Sequence, residues 1–484
     1  MDSISGLTVL KPIQTAKADG EETMVMDEPL SPMGRVFHEP GSNVYIITII
    51  GWKSQVHPDV LRANLMHTLL KHPRFSSLQV GNKENSGEIR WVHTDVDVDN
   101  HFIVPDLDHN MKSPDKFVED YVSNLSTTTI DMSKPMWDFH HLNVKTSDAE
   151  AVSILRAHHS IGDGTSLMSL LLACTRKVSD PKALPDISVT KKSNAIHSRG
   201  FFSIFQMAWN TVIDVIMFMM TALFLKDTET PLKGSLGVEL RPRRFIHRTV
   251  SLDDIKLVKN SMNTTINDVV VGVTQAALSR YLNRRYGESK NNPKKKNYLP
   301  TNIRLRAILF FNLRPPVGIR DLVDPMEKGK EGRWGNKIGY VLLPFNIAFQ
   351  DVPLDYVREA KSLMDHKKAS LEPNFAYFIA KFVSKFFGIK AAGILSHKVF
   401  YGATMWFSNV AGPKEEIAFC GHPIAYVAPS CYGQPNALMI HVVSYVNKMT
   451  FVLSADETTI PDPHQLCDDL EESLKLIKNA VLEG

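Results

Sequence analysis

The segment "FFSIFQMAWNTVIDVIMFMMTALFLKD", Phe201 to Asp227, constrains the architecture more than any other. From Phe201 to Leu225 it is long enough to cross a bilayer, which takes roughly twenty apolar residues in a helix. It lies in the middle of the chain, after the basic residues Lys191, Lys192 and Arg199, with patterned sequence on both sides. Gln206, Asn210 and Asp214 recur at four-residue intervals, so a helix carries them along one face. An aspartate near the middle of a lone span is expensive. The stripe therefore favours a helix lying in the membrane interface or packed against protein.

On either side the chain reads as mixed strands and helices. "NVYIITIIGW" has the pattern of a strand and "HPDVLRANLMHTLLKHP" that of a helix stopping at His72 and Pro73. "IRWVHTDVDVDNHFIV" is strand-like, and "SPDKFVEDYVSNLST" predicts a helix from about Ser113. "MWDFHHLNV" and "AVSILRAHH" follow as strands, and the spacing of Leu167, Leu170 and Leu171 predicts a helix from about Thr165 to Cys174. Beyond Arg241, "TINDVVVGVTQAALSRYLNRRYG" predicts a long helix capped at or near Asn267. Strand patterns then recur at "AILFFNLRP", "KIGYVLLPFNIAF", "HPIAYVAPSCYG" and "ALMIHVVSYVNKMTFVLSAD", before a closing amphipathic helix from "DPHQLCDDLEESLKLIKNAVL". With 484 residues, two large α/β or α+β domains, or three, are expected.

Composition removes several function classes. Lys plus Arg number 55 against 52 for Asp plus Glu, so net charge gives no reason to expect a nucleic-acid partner. The most basic run, "PKKKN" at Pro293 to Asn297, reads either as a solvated loop or as a contact for phosphate or anionic lipid. Four cysteines without a CxxC pair indicate neither a disulfide framework nor a zinc knuckle. The first forty residues lack the pattern of a secretory signal; residues 1–27 read as a flexible lead, with order beginning at "EPLSPMGRVF" and the catalytic part facing the cytosol.

The chemistry concentrates in "LRAHHSIGDGTSLMSLLL", Leu155 to Leu172. In a strand, His158 and His159 point to opposite faces, so one of them can face a cleft while the other faces the body of the domain. Three readings compete: buried histidines held by hydrogen bonds, a metal site, or catalysis. The metal reading finds Asp163 but no third ligand at a characteristic spacing, and His140 and His141 form no metal signature. In the catalytic reading His159 is a general base that removes a proton from an alcohol, provided a partner fixes its other ring nitrogen. Gly162 and Gly164 let the loop turn tightly and bring a substrate near the backbone. Asp163 either orients the base or holds the loop through an arginine. No nucleophile elbow is present, so direct acyl transfer is simpler than a serine-bound intermediate.

"HHSIGDG", His158 to Gly164, matches the HHxxxDG signature of coenzyme A-dependent acyltransferases and peptide condensation domains. With "PLSP" (Pro29 to Pro32), "PMW" (Pro135 to Trp137), "INDVVVGVTQAALSRYL" (Ile266 to Leu282), "NLRP" (Asn312 to Pro315) and "SNVAGP" (Ser408 to Pro413) in order, the chain resembles the plant wax ester synthase/diacylglycerol acyltransferase family over most of its length. It has no DFGWG block of the soluble plant alcohol acyltransferases, and Met136 and Ala411 stand where many relatives carry leucine and proline. The resemblance implies two related α/β domains with a tunnel between them. It divides the chain into 28–190, a crossover at 191–240 carrying the membrane-associated helix, and 241–484. His159 is implied as general base, His158 and Asp163 as supporting residues, and Gly164 as part of the motif.

Asn312 and Arg314 then brace the channel or serve as scaffold, and the same choice stands for Ser408 and Asn409 as hydrogen-bond donors. Asn267 and Asp268 are read first as helix-cap residues, and Trp137 as a packed aromatic. The implied reaction joins a fatty acyl-CoA co-substrate to a long-chain alcohol, with diacylglycerol as a second acceptor and neither metal nor redox cofactor. Because both domains share one tunnel, the Phe201 segment is expected to be a hairpin or an interfacial helix. The resemblance implies the endoplasmic reticulum membrane, with the plasma membrane as the alternative address. A soluble small-alcohol acyltransferase and a noncatalytic lipid-binding protein are the rival readings.

Overall fold

The computed structural model describes residues 28–81, 88–108, 111–185, 201–288, 297–314 and 334–483. The expected lead at 1–27, the basic residues Lys191, Lys192 and Arg199, Pro315, and the basic run from Pro293 to Lys296 lie outside them.

Two sheets carry the site. The first has seven strands in the order β5 (Phe102–Ile103), β6 (Trp137–Leu142), β7 (Ala151–His158), β2 (Tyr45–Trp52), β14 (His422–Tyr432), β13 (Ile417–Phe419), β8 (Arg176–Lys177). The second has six: β11 (Ile338–Asn346), β10 (Arg304–Asn312), β12 (Met405–Val410), β15 (Leu438–Tyr445), β16 (Lys448–Ala455), β9 (Arg244–Ser251). A small sheet of β1 (Glu28–Pro29), β4 (Ile89–His93) and β3 (Ser77–Gly81) flanks the first. Central strands such as β7, "AVSILRAH", are buried on both faces, which explains their nearly continuous apolar sequence.

Chain order and sheet order part company in the second half. β14 leaves the second sheet's territory and lies antiparallel to β2, with Cys431 opposite Ile46 and Val427 opposite Ile50. A boundary at residue 241 therefore follows the chain but not the sheets. The pattern of "HPIAYVAPSCYG" identifies a strand; its alternation cannot say which sheet that strand joins.

Among the described residues the helices are α1 (Pro32–Val36), α2 (Pro58–His67), α3 (Pro114–Leu125), α4 (Gly164–Cys174), α5 (Phe201–Leu223), α6 (Leu252–Ser261), α7 (Ile266–Glu288), α8 (Asp355–Lys368), α9 (Glu372–Phe387), α10 (Ile389–Gly402) and α11 (Pro463–Glu483). α2 ends at His67, short of the expected His72, and two 3-10 turns complete the run. α7 is capped by Thr265, not Asn267: Asp268 accepts the Thr265 N–H at 2.8 Å, and Thr265 Oγ1 accepts the Asp268 N–H in return. The sequence patterns assign no element to α8, α9 or α10.

α5 is one continuous helix, not a hairpin. Its stripe faces protein at two of three positions. Asn210 Nδ2 donates to the carbonyls of His366 and Ala369, and buried Asp214 accepts from Lys367 Nζ at 2.7 Å. Lys367 also reaches Glu372, whose carboxyl burial pushes up to about 7, and Glu372 accepts the Leu342 N–H of β11. Gln206, one turn earlier, is exposed. Further along α5, Phe218 and Ala222 enter an apolar cluster with Phe37, Ile46, Tyr340, Phe400 and Trp406, which joins the two sheets.

Candidate active site

β7 ends on His158, and His159 follows with its N–H donating to the carbonyl of Val44. The two imidazoles go opposite ways, as strand alternation requires. His158 is fully buried, and both ring nitrogens are occupied. The Phe37 carbonyl, 3.0 Å from Nε2, can only accept, so Nε2 carries the proton and Nδ1 accepts from Ser160. Burial holds its pKa well below the ordinary histidine range. His158 meets the structural reading.

His159 has a different surrounding. Its Nδ1 lies 3.1 Å from Asn336 Oδ1. The Asn336 amide is oriented by two carbonyls, since Nδ2 donates to His159 O at 2.8 Å and to Ser160 O at 3.2 Å. Oδ1 is thus the acceptor, Nδ1 is the protonated nitrogen, and Nε2 keeps its lone pair. Nε2 takes no hydrogen bond among the described residues. Burial lowers the His159 pKa against the raising effects of Asp163 and Asn336, so the ring is neutral near pH 7.

Family blocks far apart in sequence assemble around the two rings. Ser31 and Pro32 of "PLSP" start α1, whose following residue Phe37 holds His158 by its carbonyl and packs its ring 4.2 Å from that of His159. Met136 of "PMW" accepts the His158 N–H. Trp137 beside it is a packed aromatic: fully buried, stacked on His101, its Nε1 donating to Phe75 O at 2.8 Å.

Asp163 does not touch His159. Oδ1 caps α4 by accepting the Ser166 N–H, and Oδ2 accepts from Arg314 Nη1 at 2.5 Å and from the Lys337 N–H at 3.2 Å. Asn312 Oδ1 accepts from the backbone and guanidinium of Arg314, so "NLR" is a brace that grips the histidine loop through its aspartate. Gly162 works by close approach and not by turning: neither it nor Gly164 has a positive φ, and a Cβ on Gly164 would meet only Val410, at 3.6 Å. A Cβ on Gly162 would stand 3.2 Å from Ser166 Cβ and 3.4 Å from the Trp334 ring.

The segment Trp334 to Asn336, "WGN", stands outside every motif singled out in the sequence although it straps the whole loop: Trp334 Nε1 donates to Ile161 O, and Gly335, at φ +95°, accepts from Asp163 N–H and Ser166 Oγ. A glycine between an aromatic and an amide just before a strand is its available signal.

The cavity at His159 lies between the sheets. Ile46, Thr48, Ile50, Leu155, Val427 and Cys431 line it from the first sheet, Leu167, Met168 and Leu171 from α4, and Phe310, Trp406, Ser408, Met439 and His441 from the second. Gly164 opens onto it. A second, almost wholly apolar recess shares Ile50, Leu155, Leu167 and Leu171 and runs on to Trp52, Cys174 and Phe419. Ser408 thus faces the cavity, while its strand neighbour Asn409 points away and bonds Asn267. Asp268 is buried at its cap, with Lys368 nearby. No group of three metal-ligating side chains exists among the described residues.

The chain matches the wax ester synthase/diacylglycerol acyltransferase catalytic domain over residues 53–270 and the WS/DGAT C-terminal domain over 334–478. It belongs to this family. Wax ester synthase/diacylglycerol acyltransferase 11 of Arabidopsis thaliana is 50% identical over 479 residues, covering 96% of this chain and 98% of that one. The solved wax ester synthase/diacylglycerol acyltransferase from Marinobacter aquaeolei VT8 shares its fold with TM-score 0.59 and 19% identity, covering 94% of this chain and 99% of that chain. A starter condensation domain of rhizomide synthetase, solved in complex with C8-CoA and Leu-SNAC, shares it with TM-score 0.53 and 11% identity over 95% of each chain. The expected fold, mixed α/β with the architecture of coenzyme A-dependent acyltransferases, is the one observed.

Proposed function

We propose that this chain transfers a fatty acyl group from acyl-CoA to the hydroxyl of a long-chain alcohol, and also to that of a diacylglycerol, with His159 as general base. The observation that carries the reading is that His159 lines a mostly apolar cavity with Asn336 holding its Nδ1 and with no hydrogen bond to Nε2 among the described residues. The alcohol hydroxyl donates to Nε2, and its oxygen attacks the thioester carbonyl carbon as Nε2 takes the proton. The tetrahedral intermediate collapses, the C–S bond breaks, and the imidazolium returns the proton to the departing thiolate. His158 and Asp163 act by position, the one tying the strand end to Phe37, the other fastening the loop to Arg314.

The recess beyond Leu171 suits a hydrocarbon chain, each buried methylene contributing about 0.8 kcal/mol. That lining favours long-chain substrates over the small polar alcohols of a soluble acyltransferase. Purified protein supplied with palmitoyl-CoA and either hexadecanol or diacylglycerol should form the corresponding esters. Binding of acyl-CoA without ester from either acceptor would instead indicate a noncatalytic lipid-binding protein. Asn336→Leu should lower kcat on the order of a hundredfold with KM little altered, since a reoriented base misplaces the proton acceptor. An unchanged kcat would mean that Asn336 does not set the tautomer.

Membrane seating is supported by α5 with its neighbours α9 and α10. Phe202, Phe205 and Trp209 of α5, Phe378, Phe382, Phe386 and Phe387 of α9, and Ile394 of α10 are all exposed, with Lys381, Lys385, Lys390 and Lys398 among them. Apolar faces edged by lysines fit the surface of an anionic leaflet. A spanning α5 would have to surrender the Asp214–Lys367 contact, so an interfacial seat is the economical arrangement. The proposed address is the cytosolic face of the endoplasmic reticulum, with the plasma membrane as alternative. Replacing Phe378, Phe382 and Phe386 with serine should cut flotation with anionic vesicles at least about tenfold. Undiminished flotation of the folded variant would place the contact elsewhere.

A further inference from the structure

The wall of the cavity supplied by the second sheet holds polar groups that the reaction above leaves unused. β12 and β15 run parallel with Trp406 beside Met439 and Ser408 beside His441, so these four share the face turned to the cavity. His441 is 6% exposed, and neither of its ring nitrogens has a hydrogen-bond partner among the described residues. The other buried histidines, His72, His101, His140, His141, His158 and His159, each have at least one among the described residues. Trp406 Nε1 is also buried without an acceptor among the described residues. Buried polar groups are nearly always satisfied, so such a cluster facing one cavity asks for a ligand that satisfies it.

The chemistry of the wall narrows the ligand. Burial holds His441 down to about 4, so its ring is neutral and offers one N–H and one lone pair. Indole, imidazole and hydroxyl are all uncharged, which suits carbonyl oxygens better than phosphates. Trp406 and His441 lie on a diagonal of adjacent strands, with backbones about 8 Å apart from strand spacing and rise. One thioester carbonyl, already committed at the hydroxyl on His159, does not serve donors so separated. A fatty alcohol brings no carbonyl at all. A diacylglycerol brings two ester carbonyls next to its free hydroxyl.

We propose that His441 and Trp406, with Ser408 beside them, form the binding wall for the ester carbonyls of a diacylglycerol acceptor, and so set the balance between glycerolipid and plain alcohol. The proposal rests on the acyl-transfer reading and adds the residues that choose its acceptor. The test measures kcat/KM of the purified full chain for diacylglycerol and for hexadecanol with one acyl-CoA, in the wild type, His441→Leu, His441→Gln and Trp406→Phe. The diacylglycerol-to-hexadecanol ratio should fall about tenfold in His441→Leu, recover largely in His441→Gln, which keeps a donor, and fall less in Trp406→Phe. Folding is checked by thermal unfolding, and should His441→Leu not fold, the Trp406→Phe ratio decides. An unchanged ratio in the folded variants, including equal losses with both acceptors, overturns the proposal, as does a wild type that esterifies hexadecanol but not diacylglycerol. Absence of ester from either acceptor would overturn the acyl-transfer reading itself.

Discussion

His159→Ala is expected to lower ester formation by on the order of a thousandfold, the usual scale for a positioned general base. The loss should appear in kcat with every acceptor, because proton removal from the hydroxyl is common to all of them. Unfolding should change little, since the ring makes one side-chain hydrogen bond among the described residues, to Asn336. His158→Ala should behave in the opposite sense: its ring ties Phe37 and Ser160 together, so stability falls first. The pH profile carries a second signature. Burial lowers the His159 pKa, so the base stays unprotonated as pH falls through the ordinary 6.5, and the acid limb of kcat/KM should lie below that value. Turnover within a few-fold of wild type in folded His159→Ala would remove the residue from the mechanism.

The second large effect concerns the loop that carries the histidines. Asp163 and Arg314 are both nearly inaccessible, and their contact joins the first half of the chain to the second. Asp163→Ala strands the guanidinium in the interior and removes the cap of α4. Breaking such a pair from one side costs roughly 3–5 kcal/mol, and the lost cap adds about 1 kcal/mol. The mechanism predicts partial recovery on replacing both charges by apolar residues, because the pair's own net contribution is small once its desolvation is counted. Denaturant unfolding of Asp163→Ala, Arg314→Met and the double variant measures this. Single variants within about 1 kcal/mol of wild type would show that the contact is not what holds the loop.

Much of the histidine stretch is legible in its own residues. Alternation separates the two rings, and the glycines and aspartate pose the choice between a carboxylate orienting the base and one gripping an arginine. What decides it, Arg314 at 151 residues' distance, is a long-range contact that local pattern does not encode. The same limit hides Asn336 and His441, polar residues whose meaning comes from what stands opposite them. β14 shows it for architecture: its apolar alternation fits either sheet. α5 is legible because an aspartate in an apolar helix must find a partner, and Lys367 is that partner. α9, "EPNFAYFIAKFVSKFF", escapes because aromatic residues that would ordinarily signal a core strand here face outward.

The central claim is direct transfer from acyl-CoA to an alcohol by a single base, and it is tested most directly by following coenzyme A release and ester formation together, with and without acceptor. One ester per coenzyme A released, with no rapid release until alcohol is added, is the predicted result. A burst of coenzyme A equal to the enzyme concentration in the absence of alcohol would contradict it, since that requires an acyl-enzyme, which transfer straight to the alcohol does not form.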